Sequence, residues 1–329
     1  MALEGVQKNV TPGPGDVHIN KPLTNISVAY IQDTTNFIAD RVFPRIGVQK
    51  QSDLYFKYDK GDWFRNEAQK RAPATESPGG RYNLSTDTYF CHIYAFHKTI
   101  DAQTRTNEDT PLDGDADAAE FVTQRLLLRR EIDFMDAYFK AGVWDHEYDG
   151  ETSDFTQFSD ETEDPVPFFD EVKDDIYEES GFMPNTLVLS HKAWRALKKN
   201  EKLLERIKYT QRGVMPLDLL GSLLEIPRVY VARAIKNDAQ EGASDDFSYV
   251  GDTDDFAWLG YVPERPGLRR PSAGYTFVWT GYGGQNAYGV TISKWYNNDI
   301  KADKIEGELC YDQKIVASDL GAFMHDFVG

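Results

Sequence analysis

Leu54-Tyr55-Phe56-Lys57-Tyr58, then Ala72-Pro73-Ala74-Thr75-Glu76-Ser77-Pro78-Gly79-Gly80, then Tyr89-Phe90-Cys91-His92-Ile93-Tyr94-Ala95-Phe96: the order of these three pieces decides the fold. Leu54, Phe56 and Tyr58 fall on one strand face. The Pro- and Gly-bearing middle is turn or loop. Tyr89, His92, Tyr94 and Phe96, running on to Ile100, read as a return strand. The spacing predicts a two-stranded excursion with about twenty residues per strand, reaching on the order of 65 Å. A ribbon so long and polar has little core of its own and is stable only against another surface.

On the N-terminal side, Thr11-Pro12-Gly13-Pro14-Gly15 forbids regular structure, so residues 1 to about 35 read as an arm that a partner orders. Phe37, Ile38, Val42, Phe43, Ile46 and Val48 anchor the next segment on a core. On the C-terminal side, residues 115–141 form the best helix in the chain. Ala118, Phe121, Val122, Arg125, Leu128, Ile132, Met135 and Phe139 recur at three- and four-residue spacing, Leu126 and Leu127 widen the apolar face, and Asp115 or Asp117 is the N-cap. At 1.5 Å per residue it is a rod of about 40 Å, suited to a structural spine.

Residues 145–164 read as an acidic linker, and residues 168–180 as an acidic amphipathic helix ending at Gly181. A compact α/β unit follows: strand Thr186 to Leu189, a helix from about Lys192 to Ile207 capped by Ser190, a helix opened by Pro216, and a strand at Arg228 to Ala232. Residues 256–262 and 275–296 add strands. The end reads as paired strands, Ile300 to Asp312 and Lys314 to Val316, and a closing element from Leu320 to Phe327.

Length and composition fit this layout. The 329 residues call for two domains or one with long insertions, and 40% apolar content supplies a sizeable core. A net charge of −18 argues against a protein dedicated to gripping DNA or RNA. Cys91 and Cys310 are far apart, which excludes a zinc ribbon or disulfide framework and favours a reduced compartment. No secretory pattern and no apolar run of about 18 residues occurs, so no membrane partner is expected. Met1 gives the expectation of an unprocessed N-terminus.

Catalytic templates fail. The chain has no P-loop, no Gly-x-Ser-x-Gly elbow and no His-Glu-x-x-His. Gly281-Tyr282-Gly283-Gly284 reads as a turn between strands. Cys91 and His97 lie roughly 20 Å apart on an extended strand and cannot share an ion. Asp113-x-Asp115-x-Asp117 lacks the Gly and final Glu of a calcium loop; Asp145-x-Glu147-x-Asp149-Gly150 has the Gly but Thr156 at position twelve, which favours a solvated acidic loop. No cofactor and no metal is expected, and the chain is read as not an enzyme. Charge is segregated instead. Residues 145–179 hold 15 acids against one Lys, while residues 41–81 hold nine Lys or Arg against five acids and 192–212 hold eight against two. Opposite charges on separate projections can set register between copies of one chain.

Three further stretches carry a resemblance. They are Ala39-Asp40-Arg41-Val42-Phe43-Pro44 before the hairpin; Pro184-Asn185-Thr186-Leu187-Val188-Leu189 followed by Ala193-Trp194 and Leu204 through Gly213; and Tyr311 through Gly321. In this order the chain resembles the major capsid protein of tailed bacteriophages, with the α+β Hong Kong 97-type fold. The likeness covers nearly the whole chain, and its motifs are structural. It implies an N-terminal arm (1–36), the start of a peripheral domain (37–48), an extended E-loop (49–97) and the peripheral domain with its spine helix (98–164, helix 115–141). An axial domain (165–295) and returning peripheral strands (296–329) complete it.

The resemblance also implies function. Pentamers and hexamers of the chain would close into an icosahedral shell around double-stranded phage DNA, without sequence-specific contacts to it. Portal protein would be a partner, with scaffolding or cement proteins as further candidates. The location would be the virion capsid, after assembly in the host bacterial cytoplasm. Lys57, Lys60, Arg65, Lys70, Arg71 and Arg81 on the E-loop are the expected contacts to a neighbouring subunit, and Asp160, Glu161, Glu163 and Asp164 the acidic counterpart. Some relatives crosslink a hairpin Lys to an Asn of a neighbour; Lys57, Lys60 and Lys70 lie in the corresponding region and Asn297 and Asn298 in a plausible one, without a residue-by-residue match. An encapsulin-like nanocompartment shell is the same-fold alternative. A glycan-active enzyme, prompted by the 13% aromatic content and the acids, is the alternative of another class.

Overall fold

The long helix forms where its spacing predicts, from Gly114 to Tyr138, and its buried face overlaps the expected one in part. A computed structural model describes residues 18–19, 33, 35–106, 113–152, 154–161, 163–207, 215–251, 255–267, 269–282 and 289–328. Most of the expected arm, residues 208–213 and Gly283-Gly284 lie outside these. The buried stripe of the helix is Ala118, Ala119, Val122, Thr123, Leu126, Leu127, Arg130, Glu131, Phe134 and Met135. Phe121 and Arg125, expected in the core, are exposed. The cap also differs: Asp113 accepts from the amides of Asp115 (3.1 Å) and Ala116 (3.2 Å). Asp115 is drawn off by cations, pairing with Arg105 and Lys294.

The described chain divides into two compact units. The first comprises residues 1–34, 93–129 and 280–310. Strand Val290–Asn297 pairs antiparallel with the first part of a 14-residue strand, Ala302–Ile315, in register Val290↔Leu309 to Asn297↔Ala302. That single strand replaces the two expected there, Ile300 to Asp312 and Lys314 to Val316. His18 and Ile19 add to the other edge of Val290–Asn297. The helix packs on this sheet over Gly307, where an added Cβ would sit 2.5 Å from Val122 and 2.9 Å from Leu126. Asp303 completes the ion cluster around Asp115, 2.9 Å from Arg105. Burial raises the Asp115 carboxyl, but Arg105 and Lys294 outweigh it, and the net shift is downward.

The second unit comprises residues 35–92, 130–279 and 311–329. Strand Gly274–Trp279 lies between the end of the 14-residue strand (antiparallel) and Arg45–Val48 (parallel). Phe43 plugs this sheet to the last turns of the long helix. Its ring centroid is 5.0 Å from Phe134 and 4.8 Å from Tyr138. Gly274 makes room for it, since a Cβ there would meet three Phe43 ring atoms at 2.3 to 2.5 Å. Gly274→Ala is therefore expected to cost about 1–3 kcal/mol through overpacking, measured by denaturant unfolding of the isolated subunit.

A five-stranded sheet of the same unit runs in the order His146–Asp149, Gly321–His325, Ala257–Gly260, Thr186–Leu189, Arg228–Val231. Its three central strands are buried on both faces, as continuous apolar runs should be. One face packs Leu187, Leu189, Ala257, Leu259, Ala322 and Met324 against four helices. The other sets Trp258 and Phe323 against Phe139, at 6.1 and 6.3 Å. His146–Asp149, expected within a linker, is an edge strand parallel to Gly321–His325. Gly321–His325, expected among returning peripheral strands, hydrogen-bonds instead between that edge and Ala257–Gly260.

The helices on this sheet begin and end largely where sequence signals place them. Pro165–Ser180 starts one turn earlier than expected because Asp164 caps it, accepting from Val166 N at 3.1 Å; Gly181, at φ 75°, closes it. Ser190 caps His191–Lys199, accepting from Ala193 N at 3.1 Å. The expected single helix to Ile207 is broken at Asn200, whose side chain caps Glu201–Ile207 and donates to the Glu163 carbonyl. Pro216 opens Leu217–Leu223.

Candidate assembly surfaces

The hairpin is shorter in its paired part than expected. Ser52–Tyr58 pairs with Leu84–Phe90 over seven residues, from Ser52↔Phe90 to Tyr58↔Leu84. That ladder spans about 23 Å. Asp59 then caps a short helix, Lys60–Phe64, which ends the first strand. The expected return strand is split at Cys91, whose amide donates to Gln51 O at 2.8 Å, and His92–Asp101 is a separate strand. Every residue from Trp63 to Thr86 is exposed.

The ladder is held at its base. Tyr89 stacks on Phe277 at 4.8 Å, Phe90 N donates to Asp312 at 2.9 Å, and Tyr55 OH donates to Asp87 at 2.9 Å. Burial, Asp87 and Asp312 all push the Tyr55 hydroxyl upward in pKa, which keeps it a donor. Further out, Tyr58, Trp63 and Tyr82 form a ring cluster with centroids 5.9 to 6.0 Å apart. Trp63, Phe64 and Tyr82 are each 62% exposed. Tyr, Phe and Trp alternate with charge along this segment, yet the expected contact residues are all Lys or Arg; the ring cluster adds aromatic candidates to them. Exposed aromatic clusters of this kind mark interaction sites.

Lys57 pairs with Asp87 across the ladder at 3.6 Å. Lys60 bridges Glu179 (3.0 Å) and Asp319 (2.6 Å) of its own chain, and Phe64 lies over Gly181. Arg65 pairs locally with Asp62 (3.4 Å) and Glu67 (3.5 Å). Arg71 donates to Thr75 O, 2.5 Å away. Lys70 and Arg81 are exposed and form no ion pair among the described residues.

Of the acids, Asp160, Glu161 and Glu163 are exposed. Asp164 is occupied as a helix cap and as the partner of Arg206. None of the six cations meets any of these four acids within the described chain. Nor does the calcium-loop reading form. Residues 146–149 are a strand, Asp145 accepts from Ser318 Oγ (2.8 Å) and Glu147 from Gly142 N (2.9 Å).

His325 clamps the edge of the five-stranded sheet. Its ring nitrogens face Asp326 (2.8 Å), Glu147 (3.3 Å) and Asp149 (3.6 Å). Burial lowers its pKa, but these three carboxylates outweigh burial and the net shift is upward. The clamp's contribution is therefore complete below about pH 6.5 and is lost as pH rises through the folded value. His325→Gln should remove that dependence, worth about 1 kcal/mol, when unfolding is followed from pH 5.5 to 9.

No family model matches the chain. Curated proteins do. The chain is 26% identical over 270 residues to the major capsid protein of Burkholderia phage BcepMu, covering 78% of this chain and 82% of the relative. It is 25% identical over 226 residues to the major capsid protein of Pseudomonas phage JBD67, covering 68% and 71%. This chain is a homologue of phage major capsid proteins. Solved structures agree on the fold. A phage-related protein from Bordetella bronchiseptica superposes with a TM-score of 0.70 at 22% identity, over 94% of this chain and 98% of that one. The capsid of cyanophage P-SCSP1u gives 0.56 at 8%, over 86% of each, and an encapsulin from Synechococcus elongatus 0.53 at 13%, over 99% and 91%. The capsid homologue thus has the tailed-phage capsid fold expected from the order of its parts.

Proposed function

We propose that the chain is the major capsid protein of a tailed phage, and that its copies assemble through pentamers and hexamers into an icosahedral shell around double-stranded DNA. One observation carries the assembly reading beyond homology: the run from Trp63 to Thr86 is exposed throughout, and its Trp63 and Tyr82 form a ring cluster with Tyr58. A segment exposed along its whole length gains most of its apolar contact, about 25 cal/mol per Å², on another surface. Much of that gain is offset by ordering the segment, so each contact is weak and correctable during growth. Residues 49–97 act as the E-loop over a neighbouring subunit, with Lys70 and Arg81 the cations left for its acids. Helix Gly114–Tyr138 is the spine of the peripheral domain, and the five-stranded sheet with its helices is the axial domain. The role is structural, not catalytic, with assembly in the bacterial cytoplasm and portal protein as partner.

The encapsulin likeness supplies a second reading, disfavoured because both curated relatives are phage capsid proteins. Particles purified from infected or induced cells separate the two. Nuclease-resistant double-stranded DNA inside them is expected; a co-purified enzyme cargo without DNA would overturn the phage reading.

A further inference from the structure

Two helical surfaces of the second unit carry opposite charge, and neither is fully neutralised among the described residues. Helix Pro165–Ser180 holds six carboxylates and one lysine. Several are occupied: Asp170 pairs with Lys173, Asp175 accepts from Tyr148 OH, and Glu179 takes Lys60 and His146. Glu171, Asp174 and Glu178 are exposed and form no ion pair among the described residues. Their spacing of three and four residues places them in one stripe. The helix pair 191–199 and 201–207 holds six cations and two acids. Lys192 pairs with Asp255 and Arg206 with Asp164. Arg195, Lys198, Lys199 and Lys202 are exposed and likewise form no ion pair among the described residues. Both helical surfaces are rigidly based, because their inner sides share one buried core with the five-stranded sheet.

We infer that these two surfaces are the halves of one contact between copies of this chain. Glu171, Asp174 and Glu178 of one subunit face Arg195, Lys198 and Lys199 of the next. A surface so acidic that met its own kind would repel, so the contact is acid to base. Each copy offers the acidic stripe to one neighbour and the basic stripe to the other. Such a heterologous contact, repeated by rotation, closes into a ring, which is the symmetry a pentamer or hexamer requires. The inference rests on the capsid reading and assigns it a register that the hairpin charges do not supply, since four of those six cations are engaged within the chain.

Charge reversal tests this. The purified wild-type chain is assembled over a concentration series, alongside K198E/K199E, D174K/E178K and the fourfold combination. Each double variant should raise the concentration needed for shells by about tenfold or more, and the combination should return to within about threefold of wild type. Thermal unfolding of the subunits should be unchanged, as all four positions are exposed. Should a reversal fail to fold, K198Q/K199Q and D174N/E178Q serve, each expected to weaken assembly about threefold or more. Double variants that assemble like wild type, or a combination no better than either double, would overturn the contact and leave the capsid reading standing. A wild-type chain that forms no assembly at all would overturn both.

Discussion

Removing residues 66–80 should leave a soluble, folded subunit that forms no closed shells. The ends of the cut are already close, because Asp62 accepts from both the backbone amide (2.7 Å) and the side-chain amide (2.9 Å) of Asn83. The seven-residue ladder beneath is anchored independently, through Tyr89 on Phe277 and Phe90 on Asp312. No residue from 66 to 80 is buried, so the subunit loses no core, and its stability should change by less than about 0.5 kcal/mol. Assembly loses 15 of the exposed residues that run from Trp63 to Thr86. Sedimentation and denaturant unfolding of the same preparation read both effects. Shells of normal size from the deleted chain would refute the hairpin assignment.

Glu131→Ala should be among the most destabilising single substitutions in the chain, at about 2–5 kcal/mol. Glu131 is 2% exposed, and its two oxygens accept from the amides of Ile38 (2.9 Å) and Ala39 (3.0 Å). Those amides open the short helix Ala39–Val42, which leads directly to the buried Phe43. Arg130 holds Asp40 beside it at 2.7 Å. Truncation leaves two buried donors without acceptors, whereas Glu131→Gln keeps one acceptor and should cost about half as much. Burial pushes the Glu131 carboxyl up to about 7, against the pull of the two amides and of Arg130. A raised carboxyl binds its proton more tightly when folded. That contribution is complete below pH 4.5 and is lost as pH rises through about 7. Wild type should therefore lose stability relative to Glu131→Gln over this window, as followed by urea unfolding at several pH values.

Local chemistry made some features legible in the sequence. Ser190, Gly181 and Pro216 are punctuation whose physics is contained within one turn, and strand Thr186–Leu189 is an apolar run too short for a helix. What could not be read depends on partners remote in sequence. On the spine helix, apolar spacing correctly places Ala118, Val122, Leu126, Leu127, Met135 and Phe139 inside, but it also places Phe121 there and gives no sign of Glu131. Yet Glu131 is buried by the amides of residues 38 and 39, while exposed Phe121 is covered by Phe96 at 5.8 Å and by the cations of Lys98 and Arg125. The hairpin was overdrawn because Lys60–Phe64 has strand-like aromatic content, but Asp59 caps a helix there. The charged residues were identified, but which of them remain unneutralised is a property of the packed chain: Lys60 spends its charge on Glu179 and Asp319, and Asp164 on Arg206.

Electron microscopy of the purified full-length chain, with light scattering over a range of concentrations, tests the central claim most directly. Closed shells built of pentamers and hexamers, with residues 63–86 lying on a neighbouring subunit, are the predicted result. A compact monomer with a radius of gyration of about 20 Å under every condition of salt and crowding would contradict it.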